Sequence, residues 1–127
     1  MASFALKRVY DPPAKEDGLR ILVDRLWPRG LTKERVKIDF WCKELAPSSE
    51  LRRWFHRDRD QWEEFKRRYL AELEEQQPAV EALLEELGAR HATLLYSARD
   101  EERNNALVLL EFLEKSQERA KRLSSCD

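Results

Sequence analysis

Two arginines stand four residues apart in the segment Asp24–Gly30, DRLWPRG. Guanidinium groups grip carboxylates and phosphates with paired N–H donors. Pro28 fixes the backbone between the two arginines and Gly30 permits a positive φ just after them. Arg25 and Arg29 therefore read as an anion clamp with Trp27 beside them. The competing reading is a structural turn, with Trp27 in the core and Arg25 paired to an acid. A second polar stretch, Thr93–Asn105 (TLLYSARDEERNN), adds Ser97, Arg99 and Asn104. Should there be chemistry as well as binding, Tyr10 or Asp24 is the candidate acid or base. No Walker loop, dinucleotide fingerprint or catalytic-triad signature is present, and neither a cofactor nor a metal is expected.

These residues need a scaffold. The uncharged run Thr93–Tyr96 suits a strand buried on both faces. After it, Ser97–Arg99 turn the chain. Asp100 is placed to cap the last long helix, with Glu101 and Glu102 in its first turn, where the helix dipole favours negative charge. A strand feeding a helix N-terminus is where open α/β sheets place ligands. Two further strands are expected at Phe4–Tyr10 and Leu19–Leu26. Their short connection by itself favours a hairpin, because parallel crossovers usually need a dozen or more residues. Thr32 caps a short helix within Leu31–Lys37, and Ser48 or Ser49 caps another at Glu50–Phe55. Trp62, Phe65, Tyr69 and Leu73 recur at helical spacing within Gln61–Glu75, an aromatic stripe that reads as core. Pro78 opens the next helix and Gly88 closes it. The last helix is expected from about Asp100 to Leu123, turning polar after Lys115 and ending in a disordered tail.

Composition bounds the rest. The 127 residues make one domain, 1–115, followed by a polar helix end and tail over 116–127. A net charge of −1 supplies no global field for nucleic acid. The charge is uneven, with eight Lys/Arg against five Asp/Glu in residues 1–36, and three against eight in residues 61–87. Cys42 and Cys126 form neither a disulfide framework nor a zinc spacing. No apolar run approaches membrane-spanning length and no secretory leader is visible, so the cytoplasm is the expected compartment.

RVYDPP at Arg8–Pro13, LVDRLWPRG at Leu22–Gly30, LAPSSELRRWF at Leu45–Phe55 and the Thr93–Asn105 stretch together resemble the YeaO-like family of small bacterial proteins, a domain of unknown function (number four-eight-eight). The resemblance covers about Phe4–Leu113. It implies that the first two strands run parallel to Thr93–Tyr96. Their ends would then gather Tyr10, Arg25, Trp27, Arg29, Ser97, Arg99 and the Asn104 region at one edge. Similar sequences often carry His where this chain has Arg103 and Asn105, and a more distant branch carries Cys at Tyr96 and Asn104. A Cys nucleophile, a His base or a His-ligated metal is therefore not expected here.

The expected fold is a small three-layer α/β domain, with a short, mostly parallel sheet flanked by helices. The expected partner is a small anionic ligand, held by Arg25, Arg29 and Arg99 with help from Ser97 and Asn104. Two alternatives stand beside it. Glu50–Phe55 and Gln61–Glu75 superficially resemble a helix-turn-helix, but Glu63, Glu64, Glu72, Glu74 and Glu75 would repel phosphates. The acidic helices over Gln61–Leu87 could instead serve a protein partner. No residue pattern fixes an oligomeric state.

Overall fold

Ile21, Leu22 and Val23 are fully buried, and they serve two different cores. Alternate residues of a strand point to opposite faces of a sheet. Ile21 and Val23 join Ala92, Leu94 and Tyr96 on one side, whereas Leu22 joins Leu95 and Val9 on the other. The strand Leu19–Leu22 (β2) lies beside His91–Tyr96 (β4), with Ser3–Arg8 (β1) on the far side of β4 and Phe40–Trp41 (β3) outside β2. The order is β1-β4-β2-β3, and every pairing is parallel. This computed structural model describes residues 1–125, with side chains to residue 122.

Parallel pairing settles the direction of the first two strands, against the hairpin that spacing alone favoured. The two strands never touch, because β4 lies between them. The ten residues from Val9 to Gly18 make the crossover, containing only a 3-10 turn at Lys15–Asp17. Ten extended residues reach about 33 Å. That is enough to return along a short strand and step across two inter-strand gaps of about 4.8 Å each. Gly18 ends the turn at φ +64°, where an added Cβ would stand 2.3 Å from the His91 carbonyl oxygen. Only glycine lets the crossover pass this close to β4.

Beside the crossover lies a buried ionic cluster. Asp17, 7% exposed, takes Arg20 at 2.5 Å and Lys7 at 3.1 Å, and also accepts the Ala14 N–H. Arg20, 4% exposed, donates to the Val36 carbonyl as well. The cluster ties β1, the crossover and β2 together.

The helical layer packs on the face that carries Ile21 and Leu94. It comprises Ser49–Arg57 (α2), Trp62–Glu75 (α3), Gln77–Leu87 (α4) and Asn105–Ser125 (α5), following the four-residue Lys33–Val36 (α1). Phe65, Tyr69 and Leu73 of α3 are buried, as their stripe predicts. The Tyr69 hydroxyl donates to the Leu45 carbonyl, so its polar end is satisfied inside the core. On the other face the third layer is thin. It is a loop with one helical turn, where Val36 and Leu31 pack beside an edge-to-face pair of Trp27 and Trp41, 5.3 Å apart.

One expectation about α5 is corrected. The helix begins at Asn105, not Asp100. Asp100 closes its own turn instead, accepting the N–H groups of Glu102 and Arg103, and Asn104 then caps the helix by accepting from the Leu107 N–H at 2.9 Å. At the other end the polar stretch after Lys115 is helical to Ser125, close to the expected end at about Leu123, and Cys126 and Asp127 of the expected tail lie outside the described residues.

Candidate functional site

The strands β1, β2 and β4 end on the same side, and the loops that follow them enclose a cleft of about 500 Å³. That position is the crevice outside the carboxyl ends of parallel strands. Its floor is a polar knot. Asp24 follows β2, and its Oδ2 accepts the Ser97 N–H at 2.9 Å and the Ser97 hydroxyl at 2.7 Å. Its Oδ1 accepts Asn105 Nδ2 at 3.1 Å, which also reaches the Val23 carbonyl. Trp41 Nε1 donates to the Asp24 carbonyl at 2.7 Å. One carboxylate thus joins the ends of β2 and β4 to the start of α5, with both oxygens occupied.

The DRLWPRG loop forms one wall. Trp27 Nε1 donates to the Leu31 carbonyl at 2.7 Å, closing the loop on itself. The Tyr10 hydroxyl donates to the Arg29 carbonyl at 3.2 Å and so ties the loop to the end of β1. The Arg8 guanidinium lies over the Tyr10 ring at 5.4 Å and donates to the Ala98 carbonyl. Arg25 turns the other way, donating to the carbonyls of Pro47 at 3.2 Å and Ala46 at 3.4 Å. It holds the loop against the segment that leads into α2.

The end of α2 and the turn after it form the opposite wall, contributing Arg52, Phe55, His56, Arg59 and Asp60. Phe55 stacks on Phe65 at 4.4 Å, and Trp62 packs behind both. Arg103 and Asp100 complete the rim from the loop before α5. The backbone N–H groups of Arg103 and Glu102, with the charges of Arg103 and Arg59 nearby, hold the Asp100 carboxyl below its ordinary value.

Of the residues that sequence singles out, Tyr10, Asp24, Arg25, Trp27, Arg29, Ser97 and Asn104 all line this cleft, whereas Arg99 is exposed on the loop and is not among its lining residues. Proximity does not leave every one of them available to a ligand. Asn104 is 2% exposed, and its amide is spent on the Leu107 N–H and the Asp100 carbonyl. Sequence reasoning missed Arg52, His56, Arg59 and Arg103. The run LRRWFHRDRD carried the signal, being basic beside an aromatic face, but nothing in it shows that α2 points its end at the DRLWPRG loop. His91 lies at the opposite end of β4 and pairs with the Ser3 hydroxyl at 2.7 Å.

The cleft is rich in cations. Arg25, Arg29, Arg52, Arg59 and Arg103 line it against Asp24, Asp60 and Asp100. Among the described residues, none of these five arginines has a carboxylate at ion-pair distance. Among the described residues no cluster of His, Cys, Asp and Glu could hold a metal. Cys42 stands outside the cleft, its thiol pushed up to about 11 by burial and by the neighbouring Glu44. No helix among the described residues is long and apolar enough to cross a membrane.

A family model described as the inactive DUF488-N3 subclade matches residues 3–126. The uncharacterised protein YeaO of Escherichia coli strain K12 is 47% identical over 107 residues, covering 84% of this chain and 93% of that protein. The uncharacterised protein Rv3073c of Mycobacterium tuberculosis strain H37Rv is 39% identical over 106 residues, covering 84% and 89%. No solved structure gives a significant match.

Proposed function

The chain belongs to the DUF488 family, in the subclade described as inactive, and from that premise we propose that it is a binding domain without catalysis, whose cleft takes a small anionic ligand. The observation that supports this reading is the set of five guanidinium groups around one cleft with no carboxylate at ion-pair distance among the described residues. Like charges gathered in this way cost stability in the empty protein, and a phosphate or carboxylate relieves that cost. The fixed floor fits binding better than turnover. Both oxygens of Asp24 are committed to Ser97 and Asn105, so the carboxylate that sequence offers as a base already serves the fold.

The test is a thermal-shift screen of phosphorylated metabolites, carboxylates and inorganic phosphate. A ligand at a hundred times its dissociation constant adds about 2.7 kcal/mol, which is about 10 °C in melting temperature for a domain of this size. Wild type should respond to at least one phosphate or carboxylate class, and Arg29→Ala with Arg103→Ala should abolish the response without unfolding the protein. Arg25 is left intact because its guanidinium holds Ala46 and Pro47. If no anion raises the melting temperature, or the folded double variant responds like wild type, the reading is wrong.

A further inference from the structure

Large apolar side chains left in water need a reason when they gather at one place. Among the described residues only Met1, Tyr10 and Leu26 are large, apolar and exposed, and two of those three line the cleft. Leu26 is 58% exposed and belongs to neither core, although it sits between Arg25 and Trp27 in the loop that forms one wall. Tyr10 is 42% exposed. Arg8 lies over its ring and its hydroxyl is fixed on the Arg29 carbonyl, so the ring is presented rigidly with one face already taken by a cation. Across the cleft, Phe55 is held flat by its stack on Phe65. The walls are therefore rigid aromatic planes and an uncovered leucine, with guanidiniums around them. Flat, inflexible walls select a flat guest, whereas a flexible aliphatic chain is better met by adaptable side chains.

We propose that the ligand of this cleft is an anion carried on a planar ring, the chemistry of a nucleoside monophosphate, with the ring against Leu26, Tyr10 and Phe55 and the phosphate on Arg29, Arg59 and Arg103. This rests on the anion-binding reading and adds to it a statement about the uncharged part of the ligand. The cleft's volume of about 500 Å³ falls within the range of sites for small organic ligands, roughly 300–1,000 Å³. Stacking a base on an aromatic side chain discriminates by about tenfold or more, and it tolerates changes of base because every base has a π face.

The test is isothermal titration of the full chain with the four common nucleoside monophosphates, ribose 5-phosphate, adenosine and inorganic phosphate. At least one nucleotide should bind about tenfold more tightly than ribose 5-phosphate, and adenosine more weakly than that nucleotide. Leu26→Ser should weaken the nucleotide about fivefold and leave ribose 5-phosphate unchanged. Phe55→Leu, which removes a ring of the opposite wall and no hydrogen bond to the arginines, serves as a second variant with the same expectation. If ribose 5-phosphate matches every nucleotide, or both variants bind the nucleotide like wild type, the ring is not recognised and only the anion reading stands. If no phosphate binds at all, the anion reading falls together with this one.

Discussion

Asp24 is the residue on which the site's geometry turns. It is half-buried, and it accepts three side-chain or backbone donors from two other segments of the chain. Removing it leaves the Ser97 N–H without an acceptor at the strand ends and the Asn105 amide with the Val23 carbonyl alone. Hydrogen bonds to a charged acceptor contribute about 1.5–3 kcal/mol, and stranded donors add to the loss. Asp24→Ala should therefore destabilise the protein by about 2 kcal/mol in urea denaturation at pH 7. Arg29→Ala, with no ion pair to lose, should stay within about 0.5 kcal/mol of wild type. Equal costs for the two would mean that Arg29 is as structural as Asp24. This contrast also marks what was legible at this scale. The residue types at Asp24, Arg29, Ser97 and Asn104 singled out residues that line one cleft. Their partners did not show, because a sequence does not reveal that Asn104 caps a helix or that Asn105 reaches back to Asp24.

The elements were more legible than their joins. The strand segments, the aromatic stripe of α3 and the Pro78 and Gly88 boundaries of α4 all follow local rules, and the structure keeps them within a few residues. The two-residue β3 was illegible, since Phe40 and Trp41 make no periodic pattern and gain strand geometry only from β2. The crossover between β1 and β2 was misleading for a related reason: its direction depends on β4, some seventy residues later in the chain. What holds that crossover is the Asp17 cluster, and its pH response can be worked out. Burial raises the Asp17 pKa, but the Ala14 N–H, Lys7 and Arg20 more than offset this and hold it below 3.8. A carboxylate whose folded pKa is depressed contributes stability that is fully present above its unfolded value near 3.9. The contribution is lost as pH falls through the lower, folded value. Asp17→Ala strands the buried Arg20 and should cost about 3 kcal/mol at pH 7. The gap to wild type should narrow as the pH is taken down from 4 toward 2. A gap that stays constant over that range would show that packing, not the charge of Asp17, holds the crossover.

At the scale of the whole molecule the sheet order decides where the charges meet. β4 enters between β1 and β2, so the loops after all three strands converge on one edge, and α2 swings its basic end across from them. Arg29 and Arg59, thirty residues apart in sequence, thereby line one cleft with Arg103. A protein of net charge −1 has acids to spare, yet among the described residues none is at ion-pair distance from these three. If the three guanidiniums serve the fold, replacing them should cost stability. If they serve a ligand, the empty cleft carries their mutual repulsion and replacement should relieve it. Arg29→Gln, Arg59→Gln and Arg103→Gln combined should leave the protein as stable as wild type or up to about 1 kcal/mol more stable at low ionic strength. Because exposed charges are screened, that advantage should shrink in about 0.5 M salt, where the Debye length is only a few ångströms. Denaturant titrations of the two proteins at low and high salt decide the matter. A loss of about 2 kcal/mol or more in the triple variant would mean that the arginines hold the loops together, and that the positive charge of the cleft belongs to the architecture instead of to a ligand.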